Sequence, residues 1–250
     1  MSEQHLPKIL RLSDNKLLSY SCPSGKFTLT DLKVFLALDV AWRQHGKHKK
    51  MNISAEDILQ ILKQSSDPKS IKQITDSFDN LVHSSFIIYG YEENPNGETK
   101  VLSTEIIRIM EHVSFQEPME SSRWNVSLGP HTVNLFQSND LFTYIILMAD
   151  DLLFGPPIAV LQFLFSSVDE IKNGFLEVPY DHVVLEYVFE ESEITEEDYK
   201  ELDKAAAALV ATGFLQGYRM NTPDEKHIQF KLEPWFDNIL INLDWFGHLE

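Results

Sequence analysis

Cysteine is nearly absent: Cys22 is the only one in 250 residues. That scarcity excludes an intramolecular disulfide and a thiolate metal cluster, and it points to a reducing compartment. Beside Pro23 and with no paired base, Cys22 reads as a small packing residue and not as a nucleophile. Long apolar runs are missing too. Residues 1–11 hold none of the signal-peptide kind, and the longest apolar stretch is broken by Asp150, Asp151 and Gly155-Pro156-Pro157. A cytoplasmic protein with no membrane partner is therefore expected. Catalytic signatures are equally wanting. Gly25-Lys26 has no glycine-rich loop before it, His45 and His48 stand alone among lysines, and Asp150-Asp151 has no second carboxylate pair in view. No metal, cofactor or catalytic residue is assigned, and the chain reads as a binding protein rather than an enzyme.

Positive charge is scarce as well, with 21 Lys+Arg against 38 Asp+Glu for a net charge of −17. The deficit is uneven. Residues 1–118 carry 14 basic and 15 acidic side chains, whereas residues 119–250 carry 7 and 23, so the two parts stand at −1 and −16. A field of the latter sign repels polyphosphate, which leaves duplex DNA, if it is bound, to the first part. There Lys47-His48-Lys49-Lys50, with Arg43 ahead of it, is the one concentrated basic segment. Phosphate contact is one reading of that run. A solvated helix end favoured by the macrodipole is the other, and both stay open.

What the chain has in plenty is core material, 43% hydrophobic and 11% aromatic residues over a length that suits two domains. A shift of 128 lays Leu81-Val82-His83-Ser84-Ser85-Phe86-Ile87 over Leu209-Val210-Ala211-Thr212-Gly213-Phe214-Leu215 without a gap. It also sets Leu32, Phe35 and Leu36 over Val160, Phe163 and Leu164. Each half then reads as one copy of the same unit.

In the first copy, Thr28 or Thr30 caps a helix through Leu32, Phe35, Leu36 and Ala41 to Gln44, and Gly46 ends it. Ser54 with Asp57 opens a second helix, and Asp67-Pro68 a third with Ile71, Ile74, Phe78, Leu81 and Val82 as its apolar stripe. Two β-prone segments then flank Asn94-Pro95-Asn96-Gly97, a hairpin signal. In the second copy Pro157 starts the first helix, 178–189 holds the second, and Thr195 with Asp198 caps a third that Gly213 stops. Strands follow over 214–220 and 226–232. With the polar segment 116–122 as linker and the apolar helix 141–154 leading into the second copy, domains of 1–120 and 121–250 are expected. The expected fold is α+β and mainly helical: two tandem winged-helix domains, each three helices plus a β-hairpin wing.

In such a module the third helix enters the major groove. The first copy offers Lys69, Ser70, Lys72 and Gln73 there, with Lys100 in the wing, so the expected DNA-contacting set is these five with Arg43, Lys47, Lys49 and Lys50. The second copy offers Glu196, Glu197, Asp198 and Glu201, then an alanine run. Carboxylates there oppose phosphate and suit a protein partner, although acidic residues also simply complement a helix N-terminus. The C-terminal segment carries Trp235, Phe236, Ile239, Leu240 and Leu243 at helical spacing, with Trp245 beyond. It either packs on its own domain or seats in a partner or a second copy, so Glu197, Glu201 and these aromatic and aliphatic residues form the expected protein-contact set, with a homodimer possible.

The order of elements resembles bacterial plasmid replication initiators built from two linked winged helices. The likeness is carried by the opening helix over 29–37, by Trp124-Asn125-Val126-Ser127-Leu128, by Pro156-Pro157-Ile158-Ala159-Val160-Leu161-Gln162-Phe163-Leu164 and by residues 209–218. The resemblance implies origin DNA read by both third helices and exchange between dimer and monomer, hence basic faces on both domains; the second face here is acidic. Two other expectations follow from that acidity: a dimeric winged-helix subunit of an SMC and kleisin type of complex, or a decoy that mimics DNA.

Overall fold

The structure is a computed structural model that describes residues 10–13, 15–93, 99–115, 123–137, 141–149, 152–153, 155–187, 195–220 and 227–243. The chain divides into two compact units, Met1–Asp151 and Leu152–Glu250.

The first unit runs β1 (Leu10–Ser13), β2 (Lys16–Ser21), α1 (Leu29–Gln44), β3 (Lys50–Ser54), α2 (Ala55–Ile61), α3 (Pro68–Val82), β4 (Ser85–Glu93), β5 (Thr99–Arg108), β6 (Met110–Phe115), β7 (Arg123–Leu128), α4 (Pro130–Phe136) and α5 (Leu141–Ala149). Local chemistry starts its helices. Thr28 and Asp31 exchange hydrogen bonds in a capping box, Ser54 and Asp57 do the same, and Asp67 caps α3 ahead of Pro68. Helix α1 is buried along nearly its whole length from Leu32 to Trp42, so the rest of the unit packs around it. Phe35 meets Phe86 of β4 and Phe136 of α4 at 6.2 and 5.5 Å between ring centroids. The strands form two antiparallel sheets, ordered β1-β2-β4-β5 and β3-β7-β6.

One expectation is corrected here. Residues 123–149 belong to the first unit, not to a domain over 121–250. The alternating Trp124, Val126 and Leu128 need a sheet partner, and β3 supplies it from Lys50 opposite Ser127 to Ser54 opposite Arg123. The fold mixes helices with ten strands in three sheets among the described residues, and helix is the larger share. The tip of the expected hairpin, 94–98, lies outside the described residues.

The second unit runs α6 (Pro156–Ser166), β8 (Phe175–Pro179), α7 (Tyr180–Tyr187), α8 (Glu196–Thr212), β9 (Leu215–Met220), β10 (His227–Leu232) and α9 (Pro234–Asn242). Its sheet is ordered β8-β10-β9, so the strand after the first helix pairs with the last strand, Val178 opposite Ile228. Sequence reading places a helix from 178, where β8 instead reaches Pro179 and α7 begins at Tyr180. Helix α8 opens on a Thr195 and Asp198 capping box and closes on Gly213, whose φ of 81° suits a residue without a Cβ.

The shift of 128 puts the N-cap Asp67 on the N-cap Thr195, and the first residue of β5, Thr99, on the first of β10, His227. Both units thus share the order helix, strand, helix, helix, two strands. Among the described residues no helix is long and apolar enough to cross a membrane, and no group of three or more His, Cys, Asp or Glu is placed to hold a metal ion.

Candidate nucleic-acid interface

The first turns of α3 present donors to solvent. Asp67 accepts from the backbone N–H groups of Lys69 and Ser70 at 2.9 and 3.0 Å and from the hydroxyls of Ser65 and Ser70 at 2.7 and 2.9 Å. These bonds, the Ser70 N–H first, hold its carboxyl down to about 2 and keep the helix start ordered. They also occupy the Ser70 hydroxyl in the cap, which removes Ser70 from the free donors of the expected DNA set. Lys69, Lys72 and Gln73 are exposed, and Lys72 reaches Asp76 at 3.0 Å. Farther along, Asp76 and Asp79 turn the exposed face acidic. They line a polar cavity of about 490 Å³ with Gln73, Asn80 and Asp31, whose carboxylate accepts from Thr28 and Asn80. Only the N-terminal half of α3 suits phosphate.

The other expected DNA contacts lie on separate elements. Arg43 is committed inside the unit: Nε donates to the fully buried Asp39 at 2.9 Å and Nη2 to the Phe136 carbonyl at 2.7 Å, tying α1 to α4. Its place in a DNA-contacting set is corrected on that ground. Burial pushes the Asp39 carboxyl up to about 6 in spite of Arg43. Lys47 sits in a left-handed conformation after α1, Lys49 pairs with Glu111 at 2.7 Å, and Lys50 begins β3, exposed. Lys100 is exposed on β5 opposite Glu92. Cys22 touches two neutral groups, Ser24 at 2.9 Å and Asn80 at 3.7 Å.

In the second unit the carboxylates of α8 are largely engaged by their own neighbours. Glu197 pairs with Lys200 at 3.5 Å and Glu201 with Lys204 at 2.5 Å, while Asp203 accepts from the Tyr218 hydroxyl at 2.7 Å. Burial and then that carboxylate push the Tyr218 phenol up to about 12. Ala205 and Ala206 are buried, and α8 packs against α6. The residues expected as a protein contact in α9 are corrected: Trp235, Phe236, Ile239, Leu240 and Leu243 are all buried in their own unit. Trp235 donates to the Gly213 carbonyl at 2.9 Å, and Phe236 lies 5.4 Å from both Phe165 and Phe214. The apolar stripe is needed to close the core over the left-handed turn at Gly213. Trp245 lies outside the described residues.

Two surfaces were not anticipated. Val101, Leu102 and Ile106 are 53%, 59% and 67% exposed on β5, an edge strand. On the other sheet, Asn52 donates to Asn125 at 2.9 Å on an exposed polar face. Neither has a local sequence signal, because each depends on which strand pairs with which.

Among solved structures, the chain is similar to RctB domains 2 and 3 in two crystal structures. Their TM-scores are 0.48 and 0.46 with 13% identity, over 93% and 94% of this chain and 94% and 93% of those chains. It is also similar to the WH1 domain of MSBI1.176, a replication protein isolated from a multiple sclerosis patient, with a TM-score of 0.33 and 12% identity over 48% of this chain and 84% of that one. No family model and no curated protein matches the chain.

Proposed function

We propose that the chain is a non-catalytic, DNA-associated protein of tandem winged-helix build. Its first unit docks duplex DNA through the first turns of α3, with Lys100 on β5 reaching a flanking phosphate, and its second unit serves protein contacts. Replication initiation, the role implied by the resemblance drawn from the sequence, is the setting we propose for that binding. One observation carries the division of labour. With Asp67 and Thr195 at the same cap position, Lys69 and Gln73 of α3 stand where α8 has Glu197 and Glu201. Two helices with a common start thus differ in charge at the positions that would face phosphate. The units differ in the same sense, with 15 basic and 19 acidic residues in the first against 6 and 19 in the second. The exposed apolar side chains of edge strand β5 are the surface we propose for self-association of the chain.

The test is fluorescence anisotropy of a labelled generic duplex titrated with the full-length protein at low and moderate salt. Salt-sensitive binding that Lys69→Glu with Lys72→Glu weakens is the expected result. Absence of binding at low salt would overturn it in favour of an acidic protein-clasping or DNA-mimicking role.

A further inference from the structure

The sheet β3-β7-β6 has two unlike faces. Met51, Ile53, Trp124 and Val126 turn inward and are buried, with Phe78 of α3 against Trp124. The alternate positions Lys50, Asn52, Arg123 and Asn125 are exposed. Register sets Asn52 opposite Asn125, Arg123 opposite Ser54, and Ser127 between Lys50 and the exposed His112. Glu111 is the only carboxylate of these three strands, and Lys49 already neutralises it at 2.7 Å. Beyond Ser54, the Asp57 carboxylate is taken up by the α2 cap at 2.8 Å; Glu56 follows Ser54 by two residues, and Glu117 and Glu120 lie between β6 and β7, outside the described residues. In a chain with a net charge of −17, a face bearing two permanent cations, an exposed histidine and the exposed Asn52–Asn125 amide pair reverses the background.

We infer that this outer face is a second docking surface for duplex DNA, a sequence-independent contact to the phosphate backbone through Lys50, Arg123 and the Asn52–Asn125 pair. It rests on the DNA-binding reading above and adds to it a surface apart from α3. Side chains of these types are those that bind phosphate oxygens. At about 3.3 Å per strand residue, Lys50 and the Ser54 position opposite Arg123 stand about 13 Å apart, which brackets about four nucleotides at about 3.4 Å of axis each. A protein partner would need an apolar centre, and unpaired bases would need aromatic rings to stack on. The described outer-face side chains offer neither. Because α3 packs on the inner face through Phe78, the outer face looks away from it and engages a different stretch of duplex.

The experiment uses the full-length protein and a labelled duplex, with log K followed against log salt for the wild type, for Lys50→Gln with Arg123→Gln, and for Lys69→Glu with Lys72→Glu. Losing two phosphate contacts is expected to make the salt slope shallower by about 1.8, at about 0.9 per contact, and each single substitution by about half of that. The single substitutions keep the test decisive if the double variant unfolds. Wild-type binding that responds to the α3 pair but not to Lys50 and Arg123 would overturn this inference alone. Absence of wild-type binding at low salt would overturn both readings. An unchanged slope accompanied by a loss of self-association in sedimentation would assign the face to an acidic protein surface and overturn the DNA contact.

Discussion

The ring of Phe78 on α3 lies 4.4 Å from that of Trp124 on β7, tilted by 37°, and both side chains are almost wholly buried. This contact pins the helix with the cationic first turns to the sheet with the polar outer face. Trp124→Ala or Phe78→Ala is expected to cost about 3–5 kcal/mol in urea denaturation, as large buried rings do. A double-mutant cycle is expected to return a coupling of about 0.5–1.5 kcal/mol beyond burial. Independent, additive losses would mean that the two rings do not support each other.

Helix α3 changes sign along its length, and that change can be read in DNA affinity. Asp76 holds Lys72 at 3.0 Å in an exposed pair, and Asp79 follows on the acidic half. Asp76→Asn frees the Lys72 ammonium and removes a charge that opposes phosphate, so generic duplex affinity is expected to rise several-fold at low salt, with little change in thermal midpoint. An unchanged or reduced affinity would place the duplex away from this helix.

What was legible in the sequence is what local chemistry decides. Thr28 with Asp31, Ser54 with Asp57 and Thr195 with Asp198 announce helix starts within four residues, and Gly213 announces a stop. The pairing of Lys50 with Ser127 was not legible, because no feature of either segment names its partner across so much chain. The same blindness placed residues 123–149 in the wrong unit. It also left α9 ambiguous: an apolar stripe looks alike whether it covers its own core or a partner, and only the tertiary packing, with the burial of Phe236 and the donor bond from Trp235 to the Gly213 carbonyl, separates the two. Arg43 failed as a site residue because its basic character is visible in the sequence and the burial of Asp39, one helical turn away, is not.

Two aspartates of the first unit give stability opposite dependences on pH. Asp39 has its carboxyl raised to about 6 by burial, so the folded state binds that proton more tightly than the unfolded chain. Its contribution is greatest below about 4 and declines as pH rises through 6, by on the order of 3 kcal/mol in all. Asp67 has its carboxyl lowered to about 2, so its contribution is present above the ordinary carboxylate range and is lost as pH falls through 2. Denaturation midpoints are expected to decline between pH 4 and 7 in the wild type, and that slope is expected to flatten in Asp39→Asn. An equal slope in both would assign the pH dependence to other groups. Below pH 4, Asp67→Ala is expected to lose less stability than the wild type, because the cap it lacks is the one that acid removes.

The charge difference between α3 and α8 makes a gain of function the most exacting prediction. In α8, Glu197 holds Lys200 and Glu201 holds Lys204. Glu197→Lys with Glu201→Gln removes both carboxylates, releases both lysines and reproduces the Lys, Lys, Gln arrangement of positions 69, 72 and 73. The exposed ion pairs contribute little, and the lost dipole complement at the helix start costs about 0.3–1 kcal/mol, so the unit is expected to remain folded. If charge alone keeps the second unit off DNA, the variant in the full-length protein gains duplex affinity and a steeper salt slope than the wild type. If shape excludes it, for example through Tyr218 held on Asp203 beside the helix, the slope stays where it was, and Asp203→Asn together with Tyr218→Phe is the next change that should release it.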